Sequence, residues 1–205
     1  MVQAEVNTYS YLFATWGTNL GWTTHLYMDH EKFEDNDAGS LTSIRFRKQI
    51  TDKFKIGLNY GQYHKNAGGV YHRGELALFW CEKFGDFALN HRSRFERWYQ
   101  ESSSKVFHRY RGQLALDYEI GHGFGVGISE EFMVRTASSW DEFTTERGVY
   151  QNWFAPMIVS YKLNKTNKFK VFYRITNKEM NIKNNFDIQE KGQHYLGLAY
   201  LVNFK

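Results

Sequence analysis

Over residues 193–204, Gln-His-Tyr-Leu-Gly-Leu-Ala-Tyr-Leu-Val-Asn-Phe, apolar side chains fall on every second position. Leu196, Leu198, Tyr200, Val202 and Phe204 would form one wholly apolar face, and Tyr195, Gly197, Ala199, Leu201 and Asn203 the other. A period of two marks a strand, because successive side chains leave a pleated backbone on opposite sides. The alternation recurs upstream and predicts about ten strands, near 20–30, 41–50, 54–63, 70–82, 86–99, 106–119, 124–135, 149–162, 168–178 and 193–204. Short connections near 51–53, 83–85, 121–123 and 164–167 alternate with longer polar ones around 31–40, 64–69, 100–105, 136–148 and 179–192. That rhythm predicts an all-β, antiparallel transmembrane barrel in one domain, 1–205, with short periplasmic turns and long extracellular loops. Residues 5–16 also read as a strand, with a turn at Gly17-Thr18-Asn19. Including them makes the count odd, which bacterial single-chain barrels avoid. Two readings stay open: 1–19 is a periplasmic or luminal segment, or a further strand brings the barrel to about twelve.

The two faces differ in chemistry. Outward candidates include Trp22, Leu26, Met28, Ile44, Phe46, Leu58, Tyr60, Leu76, Leu114, Leu116, Val126, Met157, Val159 and Val171. The alternate positions carry Arg45, Arg47, Arg73, Glu75, Arg92, Arg94, Glu96, Arg109, Arg111, Asp117, Glu131 and Arg174. Alternation alone cannot tell inside from outside, and a lipocalin-like soluble barrel would show the same period. Arginine density separates them: forked, permanently charged groups suit a crowded ion-pair network, whereas a solvated surface mixes in more lysine. The charged face is therefore expected in the lumen.

Composition agrees with strands. Aromatics make up 18% of the chain and proline occurs once, at Pro156, a balance that suits pleated sheets. Pro156 lies within the segment 149–162 and lacks a ladder N–H, so a bulge is expected there. Mean hydropathy is −0.60, and no stretch approaches the ~20 apolar residues of a transmembrane helix, which excludes helical spans only. The single Cys81 cannot form an internal disulfide. Net charge is +4, but the basic residues are scattered at strand spacing, so nucleic acid is not an expected partner. No metal-ligand spacing and no cofactor motif is present. Residues 1–5 lack a basic region followed by an apolar core. An outer-membrane protein is exported, so the sequence reads as a mature chain carrying an added methionine. The bacterial outer membrane is the expected location, with its lipid and lipopolysaccharide as surroundings and the barrel-assembly machinery as a partner during insertion.

The distinctive residues cluster in the central hairpins. These are His72-Arg73, Arg92-Ser-Arg94-Phe-Glu96-Arg97, Arg109-Tyr-Arg111 and Glu131, with His194-Tyr-Leu-Gly-Leu-Ala-Tyr in the last strand. Together they resemble the uncharacterised outer-membrane β-barrel family called domain of unknown function 2490. The resemblance covers most of the chain and implies a barrel of about this size, but no activity.

Three readings follow. An Arg/Glu network can fill and stiffen the lumen of a small barrel, or line a narrow anion-leaning passage through Arg45, Arg47, Arg92, Arg94, Arg109, Arg111 and Arg174. Glu75, Glu96, Asp117 and Glu131 would neutralise much of that charge. A structural or assembly subunit would use its loops for envelope partners or lipopolysaccharide, with Trp140 and Phe143 as anchors. A lipid hydrolase would need a nucleophile and base in contact. His72, His91 and His108 lie near Ser93 and Ser102, but no Gly-x-Ser-x-Gly elbow accompanies them, and the strand phase puts His91 and Ser93 on the lipid side.

Overall fold

A computed structural model describes residues 6–17, 22–32, 39–65, 69–101, 106–138, 149–181 and 193–204. Its elements are β1 (Val6–Gly17), β2 (Trp22–Lys32), β3 (Gly39–Gln49), β4 (Phe54–Lys65), β5 (Val70–Phe84), β6 (Phe87–Gln100), β7 (Val106–Gly121), β8 (Phe124–Ser138), β9 (Val149–Lys162), β10 (Asn167–Asn181) and β11 (Gln193–Phe204). Each strand pairs antiparallel with its sequence neighbours, and the sheet closes as β1 meets β11. The expected barrel is present with eleven strands. Neither open reading of the N-terminal segment holds: Val6–Gly17 form β1, paired on both edges, but the strands of the described residues number eleven and not about twelve. Since β1 and β11 run in the same direction, the seam is parallel, from Val6↔His194 to Trp16↔Phe204.

The alternation is realised around the ring. Ile44, Phe46, Leu58, Leu76, Leu114, Val126, Met157, Val171, Leu196 and Leu198 are exposed on the outside, whereas Ser43, Arg45, Asn59, Arg73, Glu75, Arg94 and Glu96 are buried inside. A charged interior within an apolar exterior is the arrangement of a membrane barrel. Aromatic rings belt the outer face towards the short-turn end. Phe124 pairs with Tyr161, Tyr161 opposes Phe169, and Phe169 stacks on Tyr200, giving a row across β8 to β11. The Tyr200 hydroxyl donates to Asn167 Oδ1 at 2.6 Å. A second set, Tyr60, His72, Tyr99, Tyr173 and His194, lies towards the long-connection end. Amphipathic rings prefer such levels, where an apolar band meets headgroups.

Three of the tight connections, 50–53, 85–86 and 122–123, and the one at 163–166 sit where the sequence places them. Gly85 (φ 59°) supplies the left-handed conformation that a two-residue hairpin requires. The turn around Thr18-Asn19 and the longer connections, with Trp140 and Phe143, lie outside the described residues.

Pro156 produces the expected bulge, and its effect reaches both neighbours. The ladder shifts between Gly127 and Ser129 on the β8 side, and between Tyr173 and Ile175 on the β10 side. The extra residue changes the phase of β9. Phe154 and Met157 both point outward although an odd number of steps separates them, while Ala155 is buried. Without the bulge, the phase of Met157, Val159 and Tyr161 would carry Trp153 to the lipid side. With it, Trp153 enters the lumen.

Inside the short-turn half, Phe172 packs with Ala199, Tyr11, Ile158 and Leu201. Gly197 on β11 is what admits the Phe172 ring, because a Cβ at Gly197 would fall within it. Gly197→Val is expected to destabilise the barrel by ~1–3 kcal/mol through overpacking. Gly17→Ala, where an added Cβ meets nothing within 4 Å, should stay within ~0.5 kcal/mol of the parent. Urea unfolding in vesicles reads both, and equal midpoints for the two variants would contradict the packing argument.

Candidate functional site

The charged residues converge on a belt across the lumen, carried by β5 to β8. Glu96 is its centre. One carboxylate oxygen, Oε2, accepts from Arg109 Nε at 2.7 Å and from the Trp98 indole N–H at 2.9 Å. Arg111, Arg94 and Arg73 stand 3.5, 3.7 and 3.9 Å from the other oxygen. Glu131 accepts from Arg111 Nε at 2.8 Å and from Arg94 Nη2, with Arg92 at 3.9 Å. Glu75 completes the belt, 3.5 Å from Arg94 and 3.8 Å from Arg73.

Simple cross-strand pairing does not explain this arrangement. Glu75 lies directly opposite Glu96, and Arg94 directly opposite Arg111. Like charges so placed repel. Only Glu96 and Arg109 are opposite partners of opposite sign. The remaining attraction runs along diagonals and across two strands, as in the Arg94–Glu131 bond, which long guanidinium side chains can reach. Each acid is thereby shared among several arginines, and a barrel wall curved around them makes the sharing possible.

A second set of arginines is held by rings. The Arg45 guanidinium lies 4.0 Å from the Tyr27 ring centre, Arg47 4.3 Å from Phe79, and Arg174 4.2 Å from Trp153 and 4.8 Å from Tyr195. Arg45 also donates to Ser43 Oγ at 3.3 Å. Cation–π contact of this kind favours a guanidinium in its charged form. Trp98 serves the belt likewise: Arg73 and Arg109 lie 5.3 and 5.2 Å from its ring centre, and Phe107 stacks against it.

Each expected lumen residue is thus inside, but the set divides. Arg73, Glu75, Arg92, Arg94, Glu96, Arg109, Arg111 and Glu131 join in one network. Arg45, Arg47 and Arg174 are set among aromatics, and Asp117 sits apart near the short turns, bonded to Asn90 Nδ2 at 2.9 Å. Of the luminal aromatics, the sequence pattern places Tyr195 on the inward phase, but Trp98 and Trp153 are not among the residues it singles out. Trp98 was within reach of it, since it continues the phase of Arg94 and Glu96; Trp153 was not, because only the Pro156 bulge turns it inward. Along the closing strand, Leu196 and Leu198 are exposed on the outside, and Tyr195 and Ala199 are buried in the lumen.

On the outer face, Ser93 Oγ is 3.0 Å from the Tyr110 hydroxyl, so its partner is a phenol. His72 Nδ1 is 2.6 Å from the Tyr60 hydroxyl. Ser102 lies outside the described residues. Among the described residues no group of three His, Cys, Asp or Glu is placed to hold a metal.

A family model described as a protein of unknown function, DUF2490, matches residues 7–187. None of the curated proteins matches the chain in sequence. Among solved structures, the NanC porin superposes with a TM-score of 0.57 at 10% identity, covering 91% of this chain and 89% of that one. OmpT, an outer membrane protein of Vibrio cholerae, gives 0.47 at 10% identity over 80% of this chain and 52% of its own. An anion-selective porin from Comamonas acidovorans gives 0.46 at 10% identity, over 92% and 54%. The chain spans about half the length of those last two. The likeness to the NanC porin is one of fold: a closed β-barrel of the kind found in bacterial outer membranes.

Proposed function

Because the chain belongs to the DUF2490 family, whose function is unknown, we propose its role from the lumen alone: a plugged outer-membrane barrel that is closed at rest. The carrying observation is burial. Arg73 and Glu96 are 2% exposed, Arg94 4% and Glu131 5%, so the belt's own polar groups scarcely meet a water-sized sphere. Side chains nearly fill the interior of small barrels, and here charged ones do so along β5 to β8. The long connections face the outside and the short turns the periplasm, as in outer-membrane barrels generally. The reading is non-enzymatic, supported by the phenol, and not an imidazole, that holds Ser93. Purified protein inserted in planar bilayers is expected to pass no steady current. Sustained open-channel steps from the unaltered chain would overturn the closed state.

One observation favours a second reading, a narrow anion passage uncovered when the belt moves. Arg45 and Arg47 on β3, and Arg174 on β10, set guanidinium groups against rings on the luminal wall. Rings of arginine select anions. The two readings are compatible, with the plug as the resting state and the arginines setting the sign of what passes.

A further inference from the structure

The outer face carries an arginine that the lumen does not explain. On β6, Glu96 and Trp98 are buried in the lumen, so Arg97 between them is exposed on the lipid side with Phe95 and Tyr99. It lies close to the long-connection end of β6, at the level of Tyr60 and Tyr99. A guanidinium is tolerated on a lipid-facing surface near the interface and becomes costly towards the midplane. Among the described residues no carboxylate forms an ion pair with Arg97.

Its surroundings make a slot. Along the ladder, Tyr60 opposes Gly74, Gly74 opposes Arg97, and Arg97 opposes His108. Gly74 contributes no side chain, and a Cβ there would meet nothing within 4 Å. The result is a cavity of about 450 Å³ lined by Tyr60, Gly74, Arg97, Tyr99 and Val106. Its walls are held in place. The His72 ring stacks on Tyr99 with centres 4.7 Å apart and planes 11° from parallel, and its Nδ1 is 2.6 Å from the Tyr60 hydroxyl. One step nearer the membrane centre, the row Leu58, Leu76 and Phe95 is 54, 45 and 50% exposed.

We propose that this slot binds a phosphorylated acyl glycolipid of the outer leaflet, lipid A. A cationic fork at headgroup level, flanked by phenols, suits a phosphate. The apolar row directly below suits the acyl chains of the same molecule, which a free phosphate would leave unused. The choice of leaflet rests on the orientation proposed above; the recognition of a phosphorylated lipid does not.

The test uses the intact barrel in detergent, titrated with lipid A, with dephosphorylated lipid A and with phosphatidylglycerol, reading the thermal unfolding midpoint and the bound species by native mass spectrometry. Saturable stabilisation by lipid A, with binding at least about tenfold weaker for the dephosphorylated form and for phosphatidylglycerol, is the expected result. Arg97→Gln and Gly74→Leu should each weaken lipid A binding by a similar factor, the first by removing the fork and the second by filling the floor. Both lie on the outer face, and heat-modifiable migration verifies that they fold. Unchanged binding in both folded variants would overturn the site. Equal binding of dephosphorylated lipid A would overturn phosphate recognition, and equal binding of phosphatidylglycerol would overturn the assignment to the glycolipid. Bilayer conductance reports on the plug independently, so failure of one proposal leaves the other distinguishable.

Discussion

Replacing Glu96 by alanine should lower the unfolding free energy by ~3–5 kcal/mol, the cost of breaking a buried pair and stranding its partners. The reason is concentration of charge. Arg73, Arg94, Arg109 and Arg111 all approach this one carboxylate, and Arg94 and Arg111 already face each other across the ladder. Without Glu96, Arg109 loses its direct partner and Trp98 the acceptor of its indole N–H. Glu131 and Glu75 keep part of the belt neutral, so the loss is large without being the sum of all contacts. Lys53 and Glu82 provide the control, an ion pair 2.7 Å apart with the lysine side chain 60% exposed. Breaking it with Glu82→Ala should change stability by ~0–1 kcal/mol. Urea titration in vesicles, followed by tryptophan fluorescence, compares the two. A Glu96 variant as mild as the Glu82 variant would show that the belt is not a stabilising network.

The second large effect is on conductance. Arg94→Ala combined with Glu131→Ala removes a bonded pair of opposite sign from the middle of the belt, leaving the luminal net charge as it was. Arg111 retains Glu96, and Glu75 retains Arg73. Space is what changes. Discrete current steps are expected where the parent is silent, with a reversal potential displaced towards the anion's equilibrium value in a salt gradient. Adding Arg45→Gln and Arg47→Gln should preserve the steps and reduce the selectivity, because these two arginines supply charge without filling the belt. A silent double variant with verified insertion would mean that the belt is not the plug. Cation-selective steps would remove the anion passage from consideration.

Much of this was legible in the chain. Alternation gave the strand positions because the two sides of a membrane barrel differ so sharply in polarity, and the arginines and acids share the inward phase. Pro156 marked the bulge because a proline cannot serve the ladder on both edges of a strand. Other features depend on closure. Residues 5–16 alternate like any strand, yet whether they pair with β11 is decided by curvature and not by local preference. Which acid serves which arginine is similarly hidden. Facing positions on the ladder set Glu75 against Glu96, and the bond from Arg94 to Glu131 spans two strands. Trp153 shows a third limit, since one inserted residue reverses every phase assignment beyond it.

The parallel seam has a consequence for how the chain could be rearranged. The register sets Val6 beside His194 and Trp16 beside Phe204, so the finish of β11 and the start of β1 lie a whole strand apart, roughly 35 Å at about 3.3 Å per residue. In a barrel with an even number of strands those two points would be neighbours, and a tight turn could join them. Here it cannot. A circularly permuted form would need a connector that traverses the full height of the wall, or an additional strand to make the return journey. Duplicating a hairpin would not help, because it adds strands in twos and leaves the first and last still running the same way.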